Sequence, residues 1–174
     1  GLNVKLISSS ASSLGLTGSQ GVQTYTSERV GKTDLSGVAV SDIKINGQDF
    51  LTAAVTSATN ITTAAATYAT AINLNTKNHG AVADAFNEVS SAAKGSFVMS
   101  DAFEIGVTGS TASTGIATSY QGLVDNINER ISGVQARLNS DNTITLFNTT
   151  GNEIVIDDAS GTGASDVGFT TGTY

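Results

Sequence analysis

The sequence predicts a mixed α+β fold made of two tandem units, each an amphipathic helix packed on a small antiparallel sheet. Three observations lead to this class: an Asn-Gly turn lies between short alternating runs, a helical apolar stripe occurs twice, and the order strand, helix, Gly, strand occurs twice. A chain of 174 residues can form one mid-sized domain or two small ones. The predicted divisions are 1–40 for strands that join or extend the first unit, 41–100 for the first unit and 101–174 for the second.

The first forty residues are predicted to contribute two strands joined by a Ser/Gly-rich loop. Leu2, Val4 and Leu6 alternate in the first strand, and the stretch Val22 to Val30 places Val, Thr and Tyr at period two. The next feature is a hairpin in which Asn46-Gly47 connects IKI to QDF. Because Asn-Gly supplies the two positive-φ residues of a type I′ turn, we expect a strand on each side of it.

The first amphipathic helix is predicted within Asn60 to Asn75. Its apolar residues follow the spacing i, i+4, i+7 and i+11, which places them on one stripe: Ile61, Ala65, Tyr68 and Ile72. The segment 81–89, after Gly80, fits two structures. Its bulky residues suit a helical stripe, whereas its alanines alternate as in a strand: Val82, Phe86 and Val89 against Ala81, Ala83 and Ala85. The sequence leaves both structures open.

The second unit begins with an alternating run that GSTASTG, residues 109–115, is expected to break. The run consists of Phe103, Ile105 and Val107. The second helix follows, with Ser119 as its expected N-cap and Gly133 as the expected left-handed residue after its end. Its apolar stripe is formed by Leu123, Val124, Ile127 and Ile131.

Three further alternating runs follow the second helix, separated by turn signals. The runs are 134–138, 144–146 and 154–156, and the turns are Asp141-Asn142 and Thr150 to Asn152. The tail from residue 157 to residue 174 is rich in Gly, Ser and Thr, so it is predicted to be a loop. Val167 and Phe169 are its expected buried residues.

An Ile-Asn pair recurs at the end of both predicted helices. Ile72-Asn73 lies seven residues before Gly80, and Ile127-Asn128 lies five residues before Gly133. The Ile is expected to face the core, and the Asn to bond free backbone groups at the helix end. The repetition of the pair is more informative than either Asn alone.

Composition excludes several classes of function. The net charge is −7, and the eight basic residues form no run, which argues against binding to nucleic acid or to an anionic membrane. No apolar run approaches the ~20 residues of a membrane span. The absence of Cys and the presence of one His, His79, exclude disulfides, thiolate metal sites and His-pair sites. The 21 Ser and 24 Thr predict a polar surface with little charge.

The polar residues that resemble catalytic or metal sites are interpreted as surface or turn residues. Asp125 and Glu129 could form an acid–base pair, but they lie opposite the apolar stripe of their helix. Asp157-Asp158 could begin a calcium loop, although the spacing matches neither an EF-hand nor a nonapeptide repeat. Glu153 is the remaining acidic candidate. We therefore expect no catalytic residue, no metal site and no cofactor, and the chain is not expected to be an enzyme.

The remaining motifs are short. His79 lies at a helix-to-strand junction and is expected to cap the helix end or to lie on the surface. Gly161-Thr162-Gly163 is a single Gly-rich loop and does not define a phosphate site. Asn60 and Asn148 begin formal N-glycosylation sequons, which a Thr-rich composition produces by chance.

The repeated pattern resembles the flagellin hook IN motif. The residues that carry the resemblance are the INGQDF hairpin, the helix ends AIN and NIN, the step from Gly133 to Val134 and Ala136, and the run NTITLFNTTGNEIVI. Residues 41 to about 169 contain two copies, of which the second matches better. The first departs from the pattern, because Ala81 separates Gly80 from Val82 and no clear trailing hairpin follows. The second has Gly106-Val107 where the family usually has Asn-Gly.

The resemblance implies a structural protein of the secreted bacterial flagellum. The motif occurs in the variable central region of flagellins and in hook-associated proteins. Flagellins polymerise through long helical ends, and no sustained heptad pattern is present here, so the chain is expected to be the outward-facing variable domains as a piece of a longer protein. Other flagellin subunits are the expected partners, and O-linked glycans on Ser or Thr are expected modifications. A hook-associated junction or cap protein, and a surface adhesin, remain as alternatives.

Overall fold

The computed structural model describes residues 29–31, 34–35, 38–52, 65–159 and 161–174. The elements below all belong to the unit Gly31–Tyr174. The strands predicted before residue 31 lie outside the described residues, except for Arg29 and Val30. The predicted helix start at 60–64 lies outside them as well.

The described residues form four helices and nine short strands, and they confirm the mixed α+β class. In chain order the elements are β1 (Lys44–Ile45), β2 (Gln48–Asp49), α1 (Ala65–Asn73), α2 (Thr76–His79), β3 (Asn87–Ser90), β4 (Glu104–Val107), β5 (Ser110–Ser113), α3 (Tyr120–Arg130), β6 (Gln135–Leu138), β7 (Ile144–Asn148), β8 (Ile154–Asp157), α4 (Gly163–Asp166) and β9 (Gly172–Thr173).

All strand pairs among the described residues are antiparallel. β1 and β2 form a two-stranded hairpin, β3, β7 and β6 form a sheet in that order, and β5, β4, β8 and β9 form another. Leu146 of β7 lies between Val89 and Ala136, and Ile105 of β4 lies between Ala112 and Ile156. β3 belongs to the predicted range 41–100, yet it pairs with a strand of the range 101–174. The predicted division at residue 100 therefore separates two strands of one sheet.

Two apolar clusters hold the described residues together. The larger one, called the major core below, contains sixteen buried side chains between α3 and the two larger sheets. The smaller one, called the minor core, contains three buried side chains: Phe50, Leu51 and Ile72. Because hydrophobic stabilisation scales with the apolar area removed from water, the major core supplies most of the stability.

The clearest local predictions are confirmed. Asn46 and Gly47 both have positive φ, 52° and 77°, as a type I′ turn between β1 and β2 requires. The Oγ of Ser119 accepts a hydrogen bond from the Gly122 N–H at 3.0 Å and caps α3. The predicted apolar stripe of α3 is entirely buried: Leu123, Val124, Ile127 and Ile131.

Segment 81–89 is extended and contains no helix. Burial alternates along it, with Ala81, Ala83 and Ala85 less exposed than their neighbours, and β3 begins at Asn87. The strand alternative is therefore the correct one. Val82 is 71% exposed, which contradicts the helical stripe in which it would face a core.

Three predictions about the second half were wrong in part. GSTASTG does not end the sheet, because Ser110–Ser113 forms the edge strand β5 after a turn at Gly109. The sequence of β5 shows no alternation of apolar residues, because Ala112 is the one β5 side chain that packs against the core. The tail is not entirely a loop, since it contains α4 and β9, although Val167 and Phe169 are buried as predicted. Gly133 has φ of 79°, but α3 ends at Arg130 with Ile131 as its C-cap, so Gly133 lies one residue later than predicted.

Candidate functional site

The repeated Ile-Asn pairs place both asparagines in the same bonding arrangement. The Asn128 side chain donates from Nδ2 to the Ala136 carbonyl at 3.0 Å and accepts at Oδ1 from the Ala136 N–H at 2.8 Å. Asn73 makes the same two bonds with Ala83, at 2.9 and 2.8 Å. Each amide therefore holds both backbone polar groups of one residue in the extended segment after the helix. These two arrangements are called the Asn clamps below.

The Asn clamps correct one expectation from the sequence. The asparagines bond the extended segment that follows the turn, rather than free groups at the end of their own helix. The first clamp joins residues ten positions apart and the second joins residues eight apart. α2 accommodates the two additional residues, because it places one more helical turn between Asn73 and Gly80.

The second clamp lies at the edge of a sheet. β6 is the last strand in the order β3, β7, β6, so every second residue directs its N–H and C=O away from β7. Ala136 bonds Asn128 with both of these groups and is only 7% exposed. The clamp thus satisfies polar groups that an open edge would leave available to another chain.

His79 is buried and bonded on both ring nitrogens. Its side chain is 1% exposed, so the surface interpretation was wrong, while its position at the end of α2 matches the capping interpretation. Nδ1 accepts the Ala81 N–H at 3.0 Å, and Nε2 lies 3.2 Å from the Ile72 carbonyl. Since Nδ1 accepts, Nε2 carries the proton and donates to Ile72.

Of the two sequons, one is buried and the other lies outside the described residues. Asn148 is 5% exposed, and its Oδ1 accepts the N–H groups of Thr150 and Gly151. Its Nδ2 donates to the Asn152 carbonyl at 2.8 Å, so the nitrogen that would carry a glycan is already bonded. Asn148 organises the turn between β7 and β8, and Asn60 lies in the range 53–64 that the structure does not describe.

The acidic candidates on α3 lie on its solvent-exposed face. Asp125 and Glu129 are both exposed, and Asp125 accepts a hydrogen bond from Gln121 Nε2 at 2.8 Å. Arg130, on the same helix, is exposed as well. These residues match their interpretation as the polar face of an amphipathic helix.

The acidic pair after β8 contributes to a turn. Asp158 accepts the Ala164 N–H at 2.9 Å at the start of α4, while Asp157 is exposed at the end of β8. Within the described ranges no three His, Cys, Asp or Glu side chains come together as metal ligands. Gly163 packs against the main chain of Asp101, where a Cβ would lie 2.0 Å from the carbonyl oxygen. The glycine there serves close packing.

An open groove of about 600 Å³ lies across the four-stranded sheet. It is lined by Thr108, Gly109, Ser110, Thr111, Glu153, Val155 and Thr173. Thr108 donates to the Glu153 carboxylate at 3.3 Å, and this carboxylate is the one ionisable group of the lining. Hydroxyl and apolar groups therefore surround a single carboxylate in this groove.

Hydrogen bonds perturb two carboxyl groups. The Ser100 N–H bonds Asp166 at 2.9 Å and lowers the pKa of that carboxyl below its ordinary value. The Thr143 hydroxyl, with the Thr143 N–H, lowers the pKa of Asp141 in the same way. Asp141 accepts from a residue two positions along the chain, whereas Asp166 accepts from Ser100, 66 positions away, so ordinary backbone and hydroxyl donors account for both shifts.

No family model, curated protein or solved structure matches this chain. No helix among the described residues has the length and apolarity that crossing a bilayer requires. The main features for an assignment of function are therefore the two Asn clamps and the surface around them.

Sequence reasoning missed the polar network around α2. Asn75 is 4% exposed and donates to the Asp49 carbonyl at 2.6 Å, and Asn46 donates to the His79 carbonyl at 2.7 Å. These bonds join the β1–β2 hairpin to α2. The available signal was the polar stretch NTKNHG directly after a helix, because such a stretch between buried elements has to satisfy its polar groups internally.

Proposed function

We propose that this chain forms the outward-facing variable domains of a bacterial flagellin and acts as a structural part of the secreted flagellar filament. One observation carries the proposal: the two Asn clamps repeat the same pair of bonds at the two Ile-Asn positions through which the sequence resembles the flagellin hook IN motif. A repeated clamp between a helix end and the following segment supports a duplicated structural motif.

The surface supports the same proposal. Lys, Arg, Asp and Glu make up 13% of the chain, about half of the average for globular domains, and Ser and Thr make up about a quarter of it. Net negative charge keeps crowded copies soluble through mutual repulsion. Neighbouring copies in the filament would then contact this part of the protein weakly.

The location of the protein on the bacterium tests the proposal. Antibodies raised against the 174-residue chain should label flagella along their whole length in immunogold electron microscopy. Label restricted to the hook junction or to the filament tip would favour a hook-associated protein instead. Label on the cell body alone would overturn the flagellar assignment.

A second experiment tests the absence of polymerising segments. The isolated chain should sediment without forming filaments. The described helices are short and carry no sustained heptad repeat through which copies could stack as coiled coils. Filaments formed by this chain alone would contradict the proposal that it is the outer part. Specific binding on a glycan array would favour the adhesin alternative.

A further inference from the structure

We propose that the outer edge of the extended segment 81–90 is a docking site for a β-strand of another protein, and that this strand carries a basic side chain between apolar ones. The segment runs from the first Asn clamp into β3, and its outer edge is called the 81–90 edge below. The inference rests on a comparison of the two Asn clamps, so it does not depend on the proposed function.

The first Asn clamp fixes which backbone groups face the 81–90 edge. In an extended chain, successive residues direct their N–H and C=O groups to opposite sides. Asn73 bonds both groups of Ala83, so Val82 and Asp84 direct theirs away from the clamp. Among the described residues, no hydrogen bond reaches the backbone groups of Val82 or Asp84.

β3 continues the same edge. It is the end strand in the order β3, β7, β6, so one of its edges is unpaired within that sheet. Val89 of β3 lies opposite Leu146, whose other neighbour Ala136 uses its own groups for the second clamp. Leu146 therefore bonds Val89. Burial alternates without a break along the segment, which keeps Val89 in phase with Ala83, so the even-numbered residues of β3 face the 81–90 edge.

The second Asn clamp shows a strand in the corresponding place. Ala136 is held by its clamp on one side of β6. The residues before and after it, Gln135 and Arg137, pair on the other side with Phe147 and Thr145 of β7. A clamped residue of this kind thus lies between its asparagine on one edge and an antiparallel strand on the other.

The first clamp has the asparagine without the strand. Val82 and Asp84 lie before and after the clamped Ala83, as the two neighbours of the clamped residue do in β6. No strand of the described part of the chain pairs with them. An antiparallel strand placed there would bond the N–H and C=O groups of both residues, as β7 does for β6.

Charge determines the kind of strand that fits. After the second clamp, Arg137 lies 5.4 Å over the Phe147 ring and pairs with Glu88 at 2.8 Å. The corresponding residue after the first clamp is Asp84, which has the opposite charge and is exposed. Val82 is 71% exposed on the same face. Cross-strand pairs of opposite charge, or of two apolar side chains, stabilise a sheet, so the partner has a basic residue opposite Asp84 and an apolar one opposite Val82.

A second copy of this chain fits the 81–90 edge less well. Pairing two such edges would bring Asp84 and Glu88 of both copies to one surface, and each copy has a net charge of −7. Like charges across a strand pair are destabilising, and the net charges repel the approaching copies. A different protein with a basic strand is therefore the expected occupant.

A pair of synthetic peptides tests the site on the full 174-residue chain. The probe is acetylated and amidated Thr-Val-Thr-Lys-Thr-Val-Thr, which presents Val, Lys and Val on one face when it is extended. The matched control has Glu in place of Lys. The Lys peptide should shift the amide NMR signals of Val82 and Asp84 and slow their hydrogen exchange, without changing Ile105 in the major core. It should bind about tenfold more tightly than the Glu peptide.

Two variants of the chain separate charge from backbone pairing. Asp84→Lys changes an exposed side chain and should reverse the preference between the two peptides. Val82→Pro removes one N–H from the 81–90 edge but keeps the bonds of Ala83, and it should weaken binding of the Lys peptide about tenfold or more. Urea unfolding checks that each variant is folded, and Asp84→Lys decides the question if Val82→Pro is not.

Three outcomes would overturn the proposal. One is equal binding of the two peptides, or an unchanged preference in Asp84→Lys. Another is a set of shifts at the β5 edge, Ser110 to Ser113, in place of those at Val82. The third is slow exchange at Val82 and Asp84 in the chain alone: loss of this protection on dilution would identify a second copy as the occupant, and protection at every concentration would identify a segment of the same chain.

Discussion

At the scale of the residue, the side-chain amide of Asn128 forms hydrogen bonds with both the N–H and the C=O of Ala136, and these bonds contribute to the free energy of unfolding. A side-chain amide has a donor and an acceptor held in one plane, so it can bond the N–H and C=O of a single extended residue. Ala136 is buried, whereas the Ala83 clamp lies in a more exposed position. Burial decides how much each clamp contributes, because water can replace bonds only where it has access.

Asn128→Ala should therefore destabilise the protein more than Asn73→Ala. The first substitution leaves two buried backbone groups without partners, at about 1–3 kcal/mol each, and the second should cost less than about 1 kcal/mol. Urea denaturation followed by circular dichroism measures both values. Asn126→Ala is the control on the same helix, since the described residues show no side-chain hydrogen bond from Asn126, and a change within ~0.5 kcal/mol is expected. Equal losses for Asn128→Ala and Asn73→Ala would contradict the role of burial.

The Asp166 carboxylate contributes to the way the free energy of unfolding depends on pH in the acid range. Its pKa is lowered first by the Ser100 N–H, so its carboxylate stabilises the fold above the ordinary aspartate value of about 3.9. The contribution is lost as pH falls below that value. Asp166→Asn should flatten the decrease in unfolding free energy below pH ~4, measured by urea titration at several pH values.

The control for this prediction is Asp157→Asn. Asp157 is exposed, and the described residues show no hydrogen bond to its carboxylate. A curve for Asp166→Asn that follows the wild type through the acid range would show that the Ser100 bond does not affect stability.

At the scale of the element, the β4–β5 hairpin depends on a glycine at which two backbones approach closely. A Cβ added at Gly106 would lie 2.0 Å from the Ser110 carbonyl oxygen and 2.7 Å from the Thr111 Cα. Neither atom belongs to a flexible side chain, so the strand would have to move. The strand β5 that sequence reasoning missed is present because Gly106 allows this contact.

Gly106→Ala should separate β5 from β4, with loss of protection at the amides of Ser110 to Ser113 in hydrogen exchange. Gly109→Ala is the matched control in the same hairpin. A Cβ added at Gly109 would meet no atom within 4 Å, but the φ of 85° at this position costs about 1–2 kcal/mol for a residue with a Cβ. Gly106→Ala should be the more destabilising of the two, and the reverse order would contradict the close-approach explanation.

At the scale of the whole molecule, the described chain has two cores of unequal size. The major core buries sixteen apolar side chains and the minor core three, although an Asn clamp of the same kind lies beside each core. The turn after β7 connects them, because the Gly151 carbonyl accepts the Ala66 N–H at the start of α1 at 3.2 Å. A Cβ on Gly151 would lie 2.3 Å from that of Ala85.

Ile127→Ala and Ile72→Ala should consequently have different effects. Both residues occupy the Ile position of an Ile-Asn pair, with Ile127 fully buried in the major core and Ile72 in the minor core. Ile127→Ala should lower the global unfolding free energy by about 2–5 kcal/mol. Ile72→Ala should mainly increase local opening around α1, seen as faster exchange there with a smaller change in the global transition. Identical global losses would indicate one cooperative core.

The sequence by itself determined some of the local elements and the buried face of α3. Asn46-Gly47 specified a turn, Ser119 specified a helix start, and the stripe from Leu123 to Ile131 specified which face of α3 is buried. These features depend on backbone preferences and on spacings of a few residues, which a single chain displays directly. The Ile-Asn repeat also appeared in the sequence, because both copies keep the same residue types near a glycine.

Only the tertiary structure decided which elements pair and which polar groups bond across them. β3 joins β7 across more than fifty residues, β5 forms from Ser, Thr and Ala, and the asparagines bond Ala83 and Ala136 rather than their own helices. The burial of His79 is likewise a feature that the sequence did not predict. Each of these features satisfies backbone or ring polar groups with partners outside the helix or strand to which the residue belongs. Local periodicity contains no information about such partners, because they become neighbours only when the cores assemble.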